Sequence, residues 1–271
     1  MYLEYWGFKE KPFQNTPDPH FFYSSYEHEE AMMKMLYTVE EGMGAGMLTG
    51  VFGCGKTIIG QALLEKLPSD KYKIALITNP QLEYTELLRA IVRNLKIVEL
   101  PSKKTELSAD SLLETLGNIL DNNAKDGRET VIIIDEAHII KDERIFEELR
   151  LLLNFQLQDK FLLTLLLFGQ PELRQRIDDN KQLEQRIAIK CHLEAFDQND
   201  THNYIAHRLR TAGREEPIFD ESALKVVYHR SGGIPRRVNR MCDLSLLTGF
   251  GKGVKTIDGK VVEESIESIG G

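Results

Sequence analysis

The sequence predicts an α/β chain: a three-layer αβα domain on a five-stranded parallel sheet, followed by a small helical lid domain. Three observations carry that expectation. Short apolar runs alternate with amphipathic stretches from about residue 27 to 193, the pattern of parallel strands joined by crossover helices. A glycine loop, Gly50 to Thr57, stands where the first such run meets a helical stretch. Beyond about residue 196 no buried strand is legible, only helical spacing. The expected boundaries are 1–195 for the αβα domain, with 1–25 as its aromatic and proline-rich linker, and 196–271 for the lid.

Taken in order, the opening carries Tyr5, Trp6, Phe8, Pro12, Phe13, Pro17, Pro19, Phe21, Phe22 and Tyr23. That density of rings is foreign to a disordered tail, so the segment is expected to pack onto the domain. Residues 27–41 read as a helix through Met32, Met35, Leu36 and Val39. A strand at 46–49 enters the glycine loop, and a helix at 58–67 leaves it. A strand at 72–78 and an amphipathic helix at 85–98 follow, then a polar loop at 99–107 and a helix at 108–125. Residues 130–138 contain Val131, Ile132, Ile133 and Ile134 in succession, which suits a strand buried on both faces. A helix at 142–157 and strands at 161–168 and 187–193 complete the first domain. Helices at about 200–212, 220–230 and 235–248 form the second.

Composition narrows the class. The chain has 271 residues, 42% hydrophobic and 28% charged, enough apolar content for a sizeable core. A net charge of −8 argues against an indiscriminate nucleic-acid coat protein. Charge is uneven, though: eight Lys/Arg against four acids fall within 201–240, a +4 window that leaves −12 elsewhere. That window reads either as a solvated lid surface or as a surface for phosphates. Cys54, Cys191 and Cys242 match no zinc spacing or disulfide framework, and a reducing cytoplasm is the simplest setting. The start lacks a signal-peptide pattern. The longest apolar run, 161–168, is far short of the ~20 residues a bilayer requires, so no direct membrane insertion is expected.

The chemistry begins with Gly50-Val-Phe-Gly-Cys-Gly-Lys-Thr57, which fits G-x-x-x-x-G-K-[ST] without mismatch. Gly50, Val51, Phe52, Gly53, Cys54, Gly55, Lys56, Thr57 and Ile58 are the expected phosphate cradle, with ATP and Mg²⁺ as ligands. Glycines permit the dihedrals that turn backbone N–H groups inward, and the following helix presents its N-terminus. Lys56 is expected on the β/γ-phosphates and Thr57 on Mg²⁺. Cys54 takes a place where a small or hydroxyl residue is common, and reads as a packing choice. Asp135, ending the β-branched strand, is the expected Mg²⁺ acid, and Glu136 the residue that orients or deprotonates the attacking water. His138 completes the letters D-E-A-H, but the chain is too short for the second RecA-like domain of a helicase. It reads as a capping or packing residue.

Three further polar residues are candidates. Gln170, after the fourth sheet strand, can hydrogen-bond a γ-phosphate and a water; Gly169 and Pro171 equally suit a plain turn. Arg186, at the entry to the fifth strand, suits a finger toward a neighbouring subunit's phosphates, with Arg174 and Arg176 as alternatives. Arg236 follows Gly232, Gly233 and Pro235 into the first turn of the last helix, where a cation does not help the dipole. That points to an external anion.

Together these motifs resemble the AAA+ ATPases. Tyr5-Trp-Gly-Phe-Lys-Glu-Lys-Pro-Phe13, Pro17-Asp-Pro19, Phe22-Tyr-Ser24, Phe168-Gly-Gln-Pro-Glu-Leu173 and Gly233-Ile-Pro-Arg-Arg-Val-Asn239 further resemble the general secretion pathway protein A (ExeA-type) family, over about residues 3–248. TniB- and TnsC-type transposition ATPases are similar in the core. The resemblance implies ATP-driven oligomerisation into a ring or filament, with Arg186 completing a neighbour's site and Arg236 as the lid sensor. It also implies adenine contact by the N-terminal segment, with Phe8, Pro12 and Phe13 as candidates. ExeA-type proteins continue into a transmembrane helix and a peptidoglycan-binding region; this chain stops at Gly271, so direct action on the cell wall is not expected. The expected function is an assembly or regulatory ATPase for secretion, pilus or envelope machinery, with a membrane-associated partner protein. The alternative is an ATP-gated DNA-binding adaptor of transposition.

Overall fold

The computed structural model describes residues 2–95, 108–157 and 160–268. The loop expected at 99–107, and the end of the helix expected to reach 98, lie outside the described residues. In chain order come α1 (Tyr2–Trp6), a 3-10 turn (Pro19–Phe21), α2 (Tyr26–Glu40), β1 (Ala45–Gly50), α3 (Lys56–Lys66), β2 (Tyr72–Ile77) and α4 (Tyr84–Leu95). Next are α5 (Ala109–Lys125), β3 (Glu129–Ile134), a second 3-10 turn (Ala137–Ile139), α6 (Glu143–Leu152), β4 (Gln156–Leu157), β5 (Lys160–Phe161) and β6 (Leu163–Gly169). The remainder is α7 (Pro171–Asp179), α8 (Lys181–Glu184), β7 (Ile187–Leu193), α9 (Gln198–Thr211), α10 (Glu221–Ser231), α11 (Pro235–Lys252) and α12 (Gly259–Glu267).

The chain forms two compact units: His28–Gly50 with Ile59–Leu193, and Met1–Glu27 with Val51–Ile58 and Glu194–Gly271. The first is the α/β unit. Its sheet runs β2-β3-β6-β1-β7, all parallel, as the alternating sequence pattern requires. β6 separates β1 from β3; Thr49 lies opposite Gly169 and Ile134 opposite Leu167. The C-terminal ends of β1 and β3 therefore flank one strand, the edge at which parallel sheets place their chemistry. β1, β6 and most of β3 are buried throughout. Helices α4, α5 and α6 present Ile91, Leu116 and Phe146 to a core shared with Met47, Ile134 and Leu167. The ribbon β4–β5 is antiparallel and lies apart from this sheet.

The second unit is helical, and residues 1–25, expected as a linker of the αβα domain, belong to it. Trp6 is fully buried and its Nε1 donates to the Leu246 carbonyl on α11 at 3.0 Å. Arg208 on α9 donates to the backbone carbonyls of Pro12 and Gln14 and stacks over Phe21 at 4.3 Å. Trp6, Phe13, Phe196, Tyr204, Val238 and Leu246 share one core.

Several elements differ from expectation. β3 stops at Ile134, one residue before the Asp135 expected to end it, and Glu136 adopts φ +54 and turns the chain. The helix expected over 142–157 ends at Leu152, and the chain enters the ribbon. α7 and α8 were not expected; Pro171 starts α7 where its missing N–H is harmless, and the Asn180 side chain caps α8. α12 is a further unexpected helix, capped by Asp258 accepting from the Val261 N–H at 2.9 Å. Among the described residues, no helix is long and apolar enough to cross a membrane.

Candidate active site

The glycine loop links the end of β1 to α3, which begins at Lys56. Gly53 and Gly55 have φ +86 and +112, angles that L side chains resist. A Cβ on Gly53 would also stand 2.7 Å from Cβ of Arg236, so glycine is required there twice over. Lys56 is buried, its ammonium donating to the Val51 carbonyl at 3.1 Å, and Thr57 is half-buried beside it in the first turn. Cys54 is buried, as a packing residue should be.

The start of α11 is built against this loop within the helical unit. Gly232 closes α10 at φ +62, and Gly233, at φ +71, accepts from the Phe196 N–H at 3.0 Å. Pro235 opens α11, and the Arg236 N–H donates to the Gly53 carbonyl at 3.3 Å. The Arg236 guanidinium lies 4.3 Å over the exposed ring of Phe52, a cation–π contact. Phe8, Pro12 and Phe13 are also in this unit, buried, with the Pro12 carbonyl held by Arg208. Their rings are core side chains with little surface for a base.

In the α/β unit, Asp135 follows β3 and is buried; its Oδ1 accepts from the Glu136 N–H at 2.8 Å. Glu136 is the one non-glycine residue with positive φ among those described, a conformation that costs of order 1–3 kcal/mol and concentrates at functional sites. The following 3-10 turn carries His138 back beside it: Nδ1 stands 3.3 Å from Glu136 Oε2. Gln170, the N-cap of α7, places its amide nitrogen 2.8 Å from His138 Nε2. Sequence reasoning gave His138 a capping or packing part; its side chain instead joins two candidate site residues. The one signal in the sequence is its position two residues after Glu136.

Arg176 is spent inside the unit. It pairs with Glu143 at 2.6 Å, donates to the His138 carbonyl at 2.8 Å and stacks on Phe146 at 4.8 Å. Arg174 is exposed, 3.9 Å from Asp178. Arg186 directly precedes β7, half-exposed, and its guanidinium makes no ion pair or hydrogen bond among the described residues.

The loop, with its positive-φ glycines opening into a helix N-terminus, fits a phosphate chain. Thr57 in the helical unit carries a hydroxyl and Asp135 in the α/β unit a carboxylate, each a hard oxygen donor of the kind that suits Mg²⁺.

Residues 39–177, about half of the chain, match the AAA domain family. The chain belongs to the AAA family of ATPases. Over 256 residues, 93% of its length, this AAA protein is 37% identical to general secretion pathway protein A of Aeromonas hydrophila, covering 46% of that protein. It is 28% identical over 145 residues to an uncharacterised HTH-type transcriptional regulator of Methanocaldococcus jannaschii, covering 52% of this chain and 35% of the regulator. The AAA chain thus spans less than half the length of both curated relatives. Among solved structures, Cdc6p of Pyrobaculum aerophilum superposes with TM-score 0.71 at 17% identity, covering 93% of this chain and 71% of that one. The ADP form of the Aeropyrum pernix ORC2 protein gives 0.69 at 18%, covering 96% and 73%. The RuvB Holliday junction branch migration motor of Thermotoga maritima gives 0.54 at 17%, covering 90% and 69%. At these identities the likeness establishes the fold alone: a parallel αβα core followed by a helical C-terminal region.

Proposed function

We propose that this AAA ATPase is a cytoplasmic, oligomerising factor that assembles or regulates secretion, pilus or envelope machinery. The observation that carries the reading is the presence, in a chain 37% identical to general secretion pathway protein A, of both a positive-φ glycine loop ending in Lys56-Thr57 and a buried Asp135 followed by the αL residue Glu136.

In this reading the loop N–H groups and Lys56 grip the β/γ-phosphates. Thr57 and Asp135 would hold Mg²⁺, which would supply Lewis-acid neutralisation of phosphate charge. Glu136 accepts the proton of the attacking water as its oxygen bonds to the γ-phosphorus; the bond from that phosphorus to the β-bridging oxygen breaks and ADP leaves. Gln170 reports the γ-phosphate. Arg236 on the lid turns toward the same anion, with Phe52 as its stacking partner between engagements. Phe8, Pro12 and Phe13 shape the adenine end through backbone and packing, since their rings are covered. Arg186, whose guanidinium has no ion pair or hydrogen bond among the described residues, is the finger offered to a neighbouring copy; Arg176, already paired with Glu143, is not.

A DNA-gated adaptor fits less well. Of the eight basic residues in 201–240, Arg208 and Arg214 are tied to backbone carbonyls, and Lys225 and Arg230 to Glu221 and Glu263. That leaves Arg210, Arg237 and Arg240 for duplex phosphates, with Arg236 stacked on Phe52.

The test combines nucleotide binding and turnover. Lys56→Ala should abolish ATP binding, whereas Glu136→Gln should retain ATP and lose roughly 10²–10⁴-fold in hydrolysis. Unchanged turnover in Glu136→Gln would refute the site. Stimulation of the ATPase by duplex DNA with a steep salt dependence would transfer the function to the adaptor reading.

A further inference from the structure

We propose that His138 is a positioning residue that ties the water-activating Glu136 to the γ-phosphate-reading Gln170, so that the two respond as one unit. The inference rests on the roles just proposed for Glu136 and Gln170.

Three features of the α/β unit converge on the ring. First, the geometry closes on both nitrogens: Nδ1 lies 3.3 Å from Glu136 Oε2, and Nε2 lies 2.8 Å from the Gln170 amide. Nδ1 is fully buried and has no aligned hydrogen-bond acceptor, so Glu136 Oε2 is the oxygen to which a small carboxylate rotation would join it. Second, the protonation pattern is constrained. If the ring is neutral, the Gln170 amide donates to Nε2, which leaves the hydrogen on Nδ1. If the ring is charged, the amide flips, its oxygen accepts from Nε2–H, and Nδ1 still carries a hydrogen. In both states an N–H faces the Glu136 carboxylate. The remaining tautomer, neutral with Nε2–H donating to a flipped amide oxygen, sets the Nδ1 lone pair against that carboxylate and is disfavoured by their repulsion. Third, the turn is anchored. Arg176 donates to the His138 carbonyl at 2.8 Å while held by Glu143 and Phe146. The other side is Gly169, where a Cβ would stand 3.2 Å from the His138 backbone nitrogen. The ring cannot drift from its two partners without moving both.

The consequence is mechanical. An amide drawn toward a γ-phosphate pulls on Nε2, and the ring passes that displacement to the carboxylate that must meet the water. Reacting groups displaced by about an ångström can lose on the order of 10²-fold in rate, so the link has leverage on turnover without touching nucleotide.

The experiment is a double-mutant cycle on the full chain, with ATP affinity and steady-state hydrolysis measured for each variant. His138→Ala should lower kcat roughly 10- to 100-fold with ATP affinity unchanged. His138→Gln should recover most of the loss, since its amide can donate to Glu136 and accept from Gln170. Gln170→Ala should slow the wild type by a much larger factor than it slows the His138→Ala background, where only its direct phosphate contact is left to lose. Multiplicative losses, or wild-type kcat in His138→Ala, would overturn the link. ¹⁵N spectra of the ring give a readout independent of turnover: a protonated Nδ1 whose shift changes in Gln170→Ala is expected, and insensitivity to that change would also overturn it. Failure of the Glu136 role itself shows separately, as normal hydrolysis in Glu136→Gln.

Discussion

Gly232 and Gly233 provide a controlled test of how α11 is held in place. Both have positive φ, +62 and +71, so alanine at either strains the backbone by about 1–2 kcal/mol. Their surroundings differ completely. A Cβ at Gly232 meets nothing within 4 Å, whereas at Gly233 it would stand 1.9 Å from the Phe196 carbonyl oxygen. A relaxed carbon–oxygen contact is about 3.3 Å, so the backbones must part by roughly 1.4 Å. That separation breaks the bond from the Phe196 N–H to the Gly233 carbonyl, a further loss of about 1 kcal/mol. Gly232→Ala should therefore cost about 1 kcal/mol and Gly233→Ala about 3 or more. With a urea dependence of about 2 kcal/mol per molar, the midpoints fall by roughly 0.5 M and 1.5 M. Trp6, the sole tryptophan, is buried against α11, so its fluorescence reports this unit alone. Equal shifts for the two variants would show that backbone strain, not the close approach to Phe196, governs the junction, and the reasoning would fail.

Two other predictions follow from single side chains. Arg186→Ala should leave ATP affinity of the monomer intact while hydrolysis in concentrated protein falls by ~10³-fold or more; a collapse in affinity would mean the residue serves its own subunit. Burial, then the charges of Arg210 and Arg208, hold the His207 imidazolium below its ordinary range. The unfolded chain then takes up the proton first, so the helical unit should lose stability as pH falls through about 6.5 and gain nothing above it. Replacing His207 with Gln should flatten that slope in Trp6-monitored urea unfolding, and an unaltered slope would assign the acid sensitivity elsewhere.

Much of this protein was legible because the determinants are local. The glycine loop, the β-branched run before Asp135, and the Gly-Gly-Ile-Pro-Arg turn each specify conformation through dihedral limits and periodicity within about ten residues. The five sheet strands and the start of α11 follow from them. Short helices leave little trace in a sequence: α8 has only four residues, too few for periodicity to register, and α12 has nine, its start marked by the Asp258 cap. β3 ends at Ile134, one residue short of Asp135, because apolar character says nothing of a reversal at Glu136, which depends on backbone angle.

Pairings distant in the chain were decided by tertiary structure alone. Residues 1–25 join the helical unit because Trp6 and Arg208 find partners some two hundred residues away. Arg176 is engaged by Glu143, 33 residues earlier, and His138 meets Gln170, 32 residues on. Sequence periodicity names which groups face inward; only close packing of several elements at once determines which polar atoms then meet.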